Sequence, residues 1–193
     1  MKHKCLIATT NQDKFSIVSR LLAYLSLTDF EFFSLKMINE ASNTPEVGPV
    51  EDRAKAKALA FKRLLSDFDV VIGIDDGILL PKAEVVDTEL KKITKQILSD
   101  HLLKTGDIIK ICRAFYFVTK TKEYAAVTAI PFVYHQTQGV ELTPNAYPLS
   151  QTLTPLNSQV RVSNLSSEAE MEYYTPYCRS ALSDIIEKIK RGE

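Results

Sequence analysis

Apolar side chains recur along the N-terminal segment at two spacings, one typical of strands and the other typical of helices. Residues 5–9 form a short apolar run, and a polar turn at residues 10–13 follows it. Residues 14–25 then carry apolar side chains at helical spacing, directly behind candidate helix-capping residues such as Asn11. The pattern therefore predicts a strand, a polar loop and a helix, in that order.

The rest of the chain continues this alternation of predicted strands and helices. The clearest helix covers residues 50–65, which are rich in alanine, lysine and leucine. Further strands are predicted at residues 30–35, 108–118 and 124–134, further helices at residues 86–103 and from Thr175 onward, and a long polar loop at residues 136–159. Helices placed between strands and followed by a long hairpin indicate an α/β protein with a mixed sheet.

A run of β-branched apolar side chains at residues 70–74 leads directly into two adjacent aspartates, Asp75 and Asp76. Such a run is typical of a buried strand, which here would deliver both carboxylates to the rim of the sheet. Because side chains alternate along a strand, Asp75 and Asp76 are expected on opposite sides of it. The alternative interpretation is a strand that ends in an Asp-Gly turn, with both carboxylates in solvent.

Composition favours one soluble domain without a strongly charged surface. With 193 residues, 45% of them hydrophobic, the chain is long enough for one sizeable core, so a single domain over residues 1–193 is predicted. Its 24 basic and 24 acidic residues balance, which argues against a general nucleic-acid or membrane-surface binder. The three cysteines show no paired spacing, and no apolar stretch approaches the ~20 residues of a spanning helix. These features predict a cytoplasmic protein with reduced thiols.

The adjacent aspartates are the first candidate for chemistry. Neighbouring carboxylates repel each other as they lose water, so they stay ionised together when a cation or several hydrogen-bond donors compensate them. One of Asp75 and Asp76 could hold a divalent cation while the other orients or deprotonates a water molecule. The three histidines of the chain do not cluster in sequence, so a histidine-rich metal site is not expected.

The polar loop that follows the first strand is the second candidate. A helix that begins at the end of a buried strand presents backbone N–H groups and a positive dipole end, and both favour anions. Thr9 and Asn11 could add donors there, and Lys14 adds a full positive charge. The alternative is an ordinary strand-to-helix connection in which Asn11 serves as the cap.

Five segments of the chain match motifs of a known family in the right order. Residues 6–14 resemble a strand followed by (Ser/Thr)-x-Asn-x-x-Lys, and residues 52–58 resemble Glu-Asn-Ala-x-x-Lys-Ala. Residues 75–78 are similar to Asp-Asp-Ser-Gly-Leu, residues 146–149 to Gly-Tyr-Asp-Pro-Leu, and residues 165–182 to Leu-Ser-x-Glu-Glu followed by Ser-His-Arg. On these segments the sequence resembles the inosine triphosphate pyrophosphatase (Ham1-like) family, whose members hydrolyse non-standard purine nucleoside triphosphates to the monophosphate and pyrophosphate.

The resemblance implies a site and a fold. Asp76 would position or deprotonate the attacking water and Lys57 would bind phosphate at the same centre. Thr9, Asn11, Lys14, Tyr147 and Arg179 would bind the nucleoside triphosphate, and Asp52 and Asp75 would coordinate Mg²⁺, with Mn²⁺ as an alternative. The family fold is an elongated mixed sheet flanked by helices, in two lobes with a central cleft, and it often forms a homodimer.

The chain also departs from the family pattern. A serine is missing between Asp76 and Gly77, the family's metal-site glutamate is Asp52, and Ser-His-Arg has become Tyr-Cys-Arg at residues 177–179. The residues that would read the base are thus the altered ones, so the base is not specified. One alternative is an inactive relative that binds a nucleotide or a protein. Another is a phosphatase acting on a modified pyrimidine or a different phosphorylated metabolite.

Overall fold

The computed structural model describes residues 2–42, 44, 47–100, 102–136 and 149–192. The strands within this part are β1 (His3–Ile7), β2 (Phe30–Ser34), β3 (Val70–Leu79), β4 (Ile108–Val118), β5 (Glu123–Tyr134) and β6 (Leu153–Thr154). The α-helices are α1 (Gln12–Tyr24), α2 (Val50–Ala60), α3 (Leu90–Ser99) and α4 (Ser167–Lys190), and short 3₁₀ turns connect some of these elements. In the described part of the chain, no helix has the length and apolar character needed to cross a membrane.

The strands form one mixed sheet with the order β2-β1-β3-β4-β5-β6. Strand β1 pairs in parallel with both β2 and β3, and the remaining pairs are antiparallel. The prediction of an α/β protein with a mixed sheet is therefore confirmed. The division into two lobes around a cleft stays a prediction.

Helices cover both faces of this sheet. On one face the core contains alternate side chains of β1 and β3, such as Cys5 and Ile72, packed with residues of α1, α3 and α4. On the other face Leu6 and Val71 pack against Ala58 of α2. All three cysteines are buried and unpaired, as expected for reduced core thiols. The period-2 alternation of β1 and β3 thus directs each strand into two separate parts of the core.

Gly73 allows α2 to lie directly on β3. A Cβ atom at position 73 would lie 1.9 Å from the carbonyl oxygen of Ala54 and 2.6 Å from the backbone nitrogen of Ala58. Any side chain at this position would push the helix away from the strand. The close approach brings the basic side chains of α2 within reach of the carboxylates of β3.

Several boundaries differ from the sequence-based predictions. Helix α2 ends at Ala60 and not at residue 65, because a 3₁₀ turn (Lys62–Ser66) follows it, and α3 covers Leu90–Ser99 and not residues 86–103. Strand β3 does not end at the acid pair, because it continues through Asp75 and Asp76 to Leu79 and stays paired with β4. Buried basic side chains compensate the two carboxylates, so the strand carries them inside the sheet and not at its rim. The last helix does not begin at Thr175 but at Ser167, and it includes the exposed Pro176, because its buried stripe continues on both sides of that residue.

Candidate functional site

Asp75 is surrounded by three basic side chains. It is 2% exposed, and its Oδ2 lies 2.5 Å from Nε of Arg53. Its Oδ1 accepts a hydrogen bond from Nζ of Lys57 at 3.1 Å, and Nζ of Lys14 lies 3.4 Å from the same oxygen. Arg53 and Lys57 are four residues apart on α2, so both project from one face of the helix toward β3.

Asp76 has a different set of partners. The carboxylate is 1% exposed and lies opposite Arg113 of β4, whose Nε and Nη2 donate to its two oxygens at 2.6 and 3.3 Å. Lys14 lies 3.0 Å from Oδ2 of Asp76, so its ammonium group contacts both aspartates. Burial alone would raise the pKa of Asp76, but Arg113 and Lys14 outweigh it and hold the pKa well below its ordinary value.

Arg53 and Arg113 were not among the residues predicted for the site. Both are buried, at 6% exposure each, and each pairs with one of the two aspartates. The sequence carried a signal for each of them. Arg113 is one of two charges, with Lys110, in a predicted strand that is otherwise largely apolar, and Arg53 precedes Lys57 by one helical turn. Neither signal could tell whether the side chain pointed into the fold or into solvent.

The loop between β1 and α1 forms one wall of a polar pocket. Oδ1 of Asn11 accepts from the backbone N–H groups of Asp13 and Lys14, so Asn11 caps the helix as the alternative interpretation proposed. Oγ1 of Thr9 in turn accepts from the backbone N–H of Asn11. Two of the first-turn N–H groups are therefore already bonded within the protein, while Asn11 and Lys14 are among the residues that line the pocket.

We call this cavity the phosphate pocket. It has a volume of about 280 Å³, and its described lining residues are Ala8, Thr9, Thr10, Asn11, Lys14, Ser42, Thr44, Lys57 and Ile74. Two lysines and several hydroxyl groups line it, and none of these described residues is acidic. Such a lining suits an anion with several oxygens.

A second cavity, which we call the apolar pocket, lies on the side of Arg113. Its volume is about 250 Å³, and seven of its thirteen described lining residues are aliphatic or aromatic, whereas the other six, among them Asp13, are polar or charged. Arg20 and Glu170 face it as an ion pair with 3.1 Å between Nη2 and Oε2. Lys14 lines the phosphate pocket, Arg113 lines the apolar pocket, and both bind Asp76. Asp76 therefore contacts one lining residue of each cavity, although Asp76 is not itself one of the described lining residues of either.

Other predicted site residues lie apart from this cluster. Asp52 is exposed in the first turn of α2, next to Gly48, and it is not one of the described residues that contact Asp75. Arg179 is exposed on α4 and is not one of the described lining residues of either pocket. Tyr147 lies outside the described residues. The roles assigned to Asp52, Arg179 and Tyr147 stay predictions.

The described residues do not fit a resident divalent cation at Asp75. Mg²⁺ requires an octahedron of oxygen ligands at about 2.1 Å. Within the described ranges, no three His, Cys, Asp or Glu side chains lie close enough together to hold a metal ion. Basic nitrogen atoms occupy the space around both oxygens of Asp75 instead.

The sequence matches no known family profile and no curated protein. Its fold, however, is that of solved structures of Ham1-type proteins. The Staphylococcus aureus Ham1 protein superposes with a TM-score of 0.65 at 13% identity, over 98% of this chain and 100% of its own. A HAM1 protein from Coxiella burnetii superposes with a TM-score of 0.56 at 9% identity, over 96% of this chain and 99% of its own.

An enzyme structure belongs to the same group. The nucleoside-triphosphatase or dITP/XTP pyrophosphatase of Mycobacterium abscessus has a TM-score of 0.57 at 17% identity, and the likeness covers 90% of this chain and 95% of that one. The likeness extends over nearly the whole chain, which confirms the predicted resemblance at the level of the fold.

Proposed function

We propose that the protein is a divergent nucleoside triphosphate pyrophosphatase, which cleaves its substrate to the nucleoside monophosphate and pyrophosphate. The observation that carries this proposal is that Asp76 contacts both Lys14, which lines a basic polar cavity, and Arg113, which lines an apolar cavity. A nucleotide with its polyphosphate in the phosphate pocket and its base in the apolar pocket would extend across Asp76. The fold likeness to a protein named as a dITP/XTP pyrophosphatase supports the same reading.

Lys14, Lys57 and Asp76 would have different roles in this hydrolysis. Water attacks the α-phosphorus and loses a proton to solvent, the bond to the bridging oxygen breaks, and pyrophosphate leaves with an additional negative charge. Lys14 and Lys57 would stabilise that charge, because their ammonium groups line the pocket that would hold the leaving group. Asp76 stays ionised and would orient the water by accepting its hydrogen bond. Its low pKa makes it a weak proton acceptor, so positioning is the role that fits it.

Pyrophosphate release from a panel of standard, deaminated and oxidised nucleoside triphosphates tests this proposal. The panel is run once with Mg²⁺ and once with a chelator. We expect turnover of at least one member, and we expect Asp76→Asn to lower kcat by about 10²-fold or more. Asp184→Asn, the same change at an aspartate whose side chain is 73% exposed, serves as the matched control. Unchanged turnover in Asp76→Asn would refute the role of Asp76.

A second candidate function is nucleotide binding without hydrolysis. It is favoured by one specific observation, namely that Arg113 and Lys14 together engage both oxygens of Asp76. A carboxylate held in this way has fewer lone pairs left to align a water molecule. Calorimetric binding of a triphosphate that is not hydrolysed under any condition of the panel would support this candidate, and clear turnover would exclude it.

The oligomeric state and the location of the protein belong to the same proposal. The resemblance implies a homodimer, and the composition predicts a cytoplasmic protein. Light scattering of the purified chain distinguishes a dimer of twice 21.7 kDa from a monomer. Because the proposed pockets are formed by residues of a single chain, we expect nucleotide binding in either state.

A further inference from the structure

The guanidinium group of Arg53 forms an ion pair with one oxygen of Asp75, without the geometry of a hydrogen bond. Its Nε lies 2.5 Å from Oδ2, and its Nη1 donates to the carbonyl oxygen of Thr88 at 2.8 Å. The side chain is 7% exposed, so the contact is made inside the fold and not on its surface. Arg53 is thus held from two sides, by β3 and by the segment that leads to α3.

The remaining oxygen of Asp75 is shared by Lys57 and Lys14 at 3.1 and 3.4 Å. Three basic groups therefore supply, around one buried carboxylate, the positive charge that a divalent cation would otherwise supply. A metal ion that approached Asp75 would have to displace Arg53 or the lysines, and the displaced cations would lose the charge that compensates their burial. The geometry favours the protein's own cations over a metal ion.

The same lysines also line the phosphate pocket, where Thr9 and Thr44 provide hydroxyl groups. A polyphosphate placed there would contact ammonium groups that Asp75 already orients. The carboxylate then serves as an anchor that holds Lys14 and Lys57 in place, with Arg53 fixing the carboxylate from its other side.

We propose that Arg53 takes the place of a divalent cation at Asp75, so that this pocket binds a polyphosphate without a metal ion. The proposal rests on the phosphate pocket of the proposed function and deepens it, because it specifies the ionic form of the ligand. A metal-free polyphosphate is the preferred partner, and Mg²⁺ competes for that partner in solution.

Calorimetric titration of the full chain with inorganic tripolyphosphate, in chelator and in excess Mg²⁺, tests this directly. We expect binding in chelator that is at least as tight as binding in Mg²⁺. Titration with Mn²⁺ alone, followed by its electron spin resonance signal, should show no saturable site at Asp75. Binding that requires Mg²⁺ would refute the proposal of metal-free binding, but it would remain consistent with the proposed pyrophosphatase function. Absence of binding in both conditions would overturn the two together.

A variant pair isolates the role of Arg53. Arg53→Asn removes the charge, and we expect tripolyphosphate binding in chelator to weaken about tenfold or more, because Arg53 no longer fixes Asp75, which anchors the lysines. We expect Mg²⁺ or Mn²⁺ to restore part of this affinity, since Asp75 then has room for a cation. Arg63→Asn, at an arginine whose side chain is 60% exposed, is the matched control and should bind as the unmodified chain does.

Arg53→Lys covers the case in which Arg53→Asn does not fold. It keeps the positive charge, so we expect the variant to bind tripolyphosphate in chelator and to remain insensitive to Mn²⁺. A metal requirement in Arg53→Lys, or an Arg53→Asn protein that binds in chelator as tightly as the unmodified chain, would refute the proposal.

Discussion

Arg113 and Asp76 face each other across two central strands and form a buried ion pair. Pairs of this kind contribute little when compared with an apolar replacement of both partners. The loss of one partner, in contrast, leaves the other charge buried and costs several kcal/mol. Removing Arg113 alone therefore measures how much the stability of the fold depends on the compensation of the buried charge of Asp76.

Arg113→Met should lower the free energy of unfolding by about 3 kcal/mol, because Asp76 loses its bidentate partner inside the fold. Arg179→Met is the control, since it removes an exposed arginine and should change stability by about 0.5 kcal/mol or less. Urea-induced unfolding of the two variants and the unmodified chain provides the comparison. Equal losses in both variants would contradict the energetic importance of the pair.

The titration of Asp76 follows from the same contacts. Burial raises its pKa, but Arg113 and Lys14 outweigh burial and lower it below the ordinary 3.8. A carboxylate with a lowered folded-state pKa contributes stability that is fully present above its unfolded-state pKa and is lost as the pH falls toward the folded-state value. The contribution of Asp76 should therefore be constant at neutral pH and decline below about pH 4.

The carboxyl carbon chemical shift of Asp76 measures this titration by nuclear magnetic resonance. We expect the shift of an ionised carboxylate throughout the range from about pH 7 to about pH 4. The difference in unfolding free energy between the unmodified chain and Asp76→Asn should likewise be flat in that range and shrink below it. A titration midpoint near neutral pH would identify Asp76 as a proton-accepting base and contradict the positioning role.

At the scale of elements, the approach of α2 to β3 decides where the basic side chains meet the acid pair. Arg53 and Lys57 reach Asp75 because Gly73 allows the backbone of α2 to lie against the strand. A glycine in the middle of a strand weakens the strand by itself, so its position here is explained by the close packing of the helix. The site and the packing of α2 therefore depend on the same residue.

Gly73→Ala should lower the free energy of unfolding by about 3 kcal/mol or more, because its Cβ would collide with the backbone of α2. Gly106→Ala is a matched control that separates backbone strain from collision. Gly106 has a φ of +98° and nothing within 4 Å of its added Cβ, so this change should cost about 1 kcal/mol. Thermal and urea unfolding measure both variants. If both variants lost the same free energy of unfolding, the close contact of α2 with β3 at Gly73 would contribute nothing measurable to stability.

At the scale of the whole molecule, a ligand that binds the folded chain must stabilise it by mass action. Tripolyphosphate at 100 times its dissociation constant should raise the free energy of unfolding by about 2.7 kcal/mol. Lys57→Met should reduce this stabilisation at the same ligand concentration, because Lys57 lines the phosphate pocket.

Thermal melting of the unmodified chain, Lys57→Met and Lys62→Met checks this expectation. Lys62 is an exposed lysine close to the end of α2, so its loss should leave the ligand-induced stabilisation intact. An equal reduction in both lysine variants would indicate diffuse electrostatic binding to the surface and not binding in the pocket.

The sequence by itself determined the class of the fold and most of its elements. The alternating apolar pattern of β1 and β3, the long hairpin of β4 and β5 and the Ala- and Lys-rich α2 are local signals, and local signals can be read from neighbouring residues. The order of the five motif segments also identified a resemblance to the Ham1-like fold, which the superpositions confirm.

The tertiary structure alone decided the charges around the acid pair. Arg53 and Arg113 lie far from Asp75 and Asp76 in sequence, and a charged side chain on a helix or strand has no local signal for the direction in which it points. That direction depends on the pairing of β3 with β4 and on the approach of α2 at Gly73. For this reason the sequence left open whether a cation or several donors compensate the acid pair, whereas the fold brings four basic side chains to the two carboxylates.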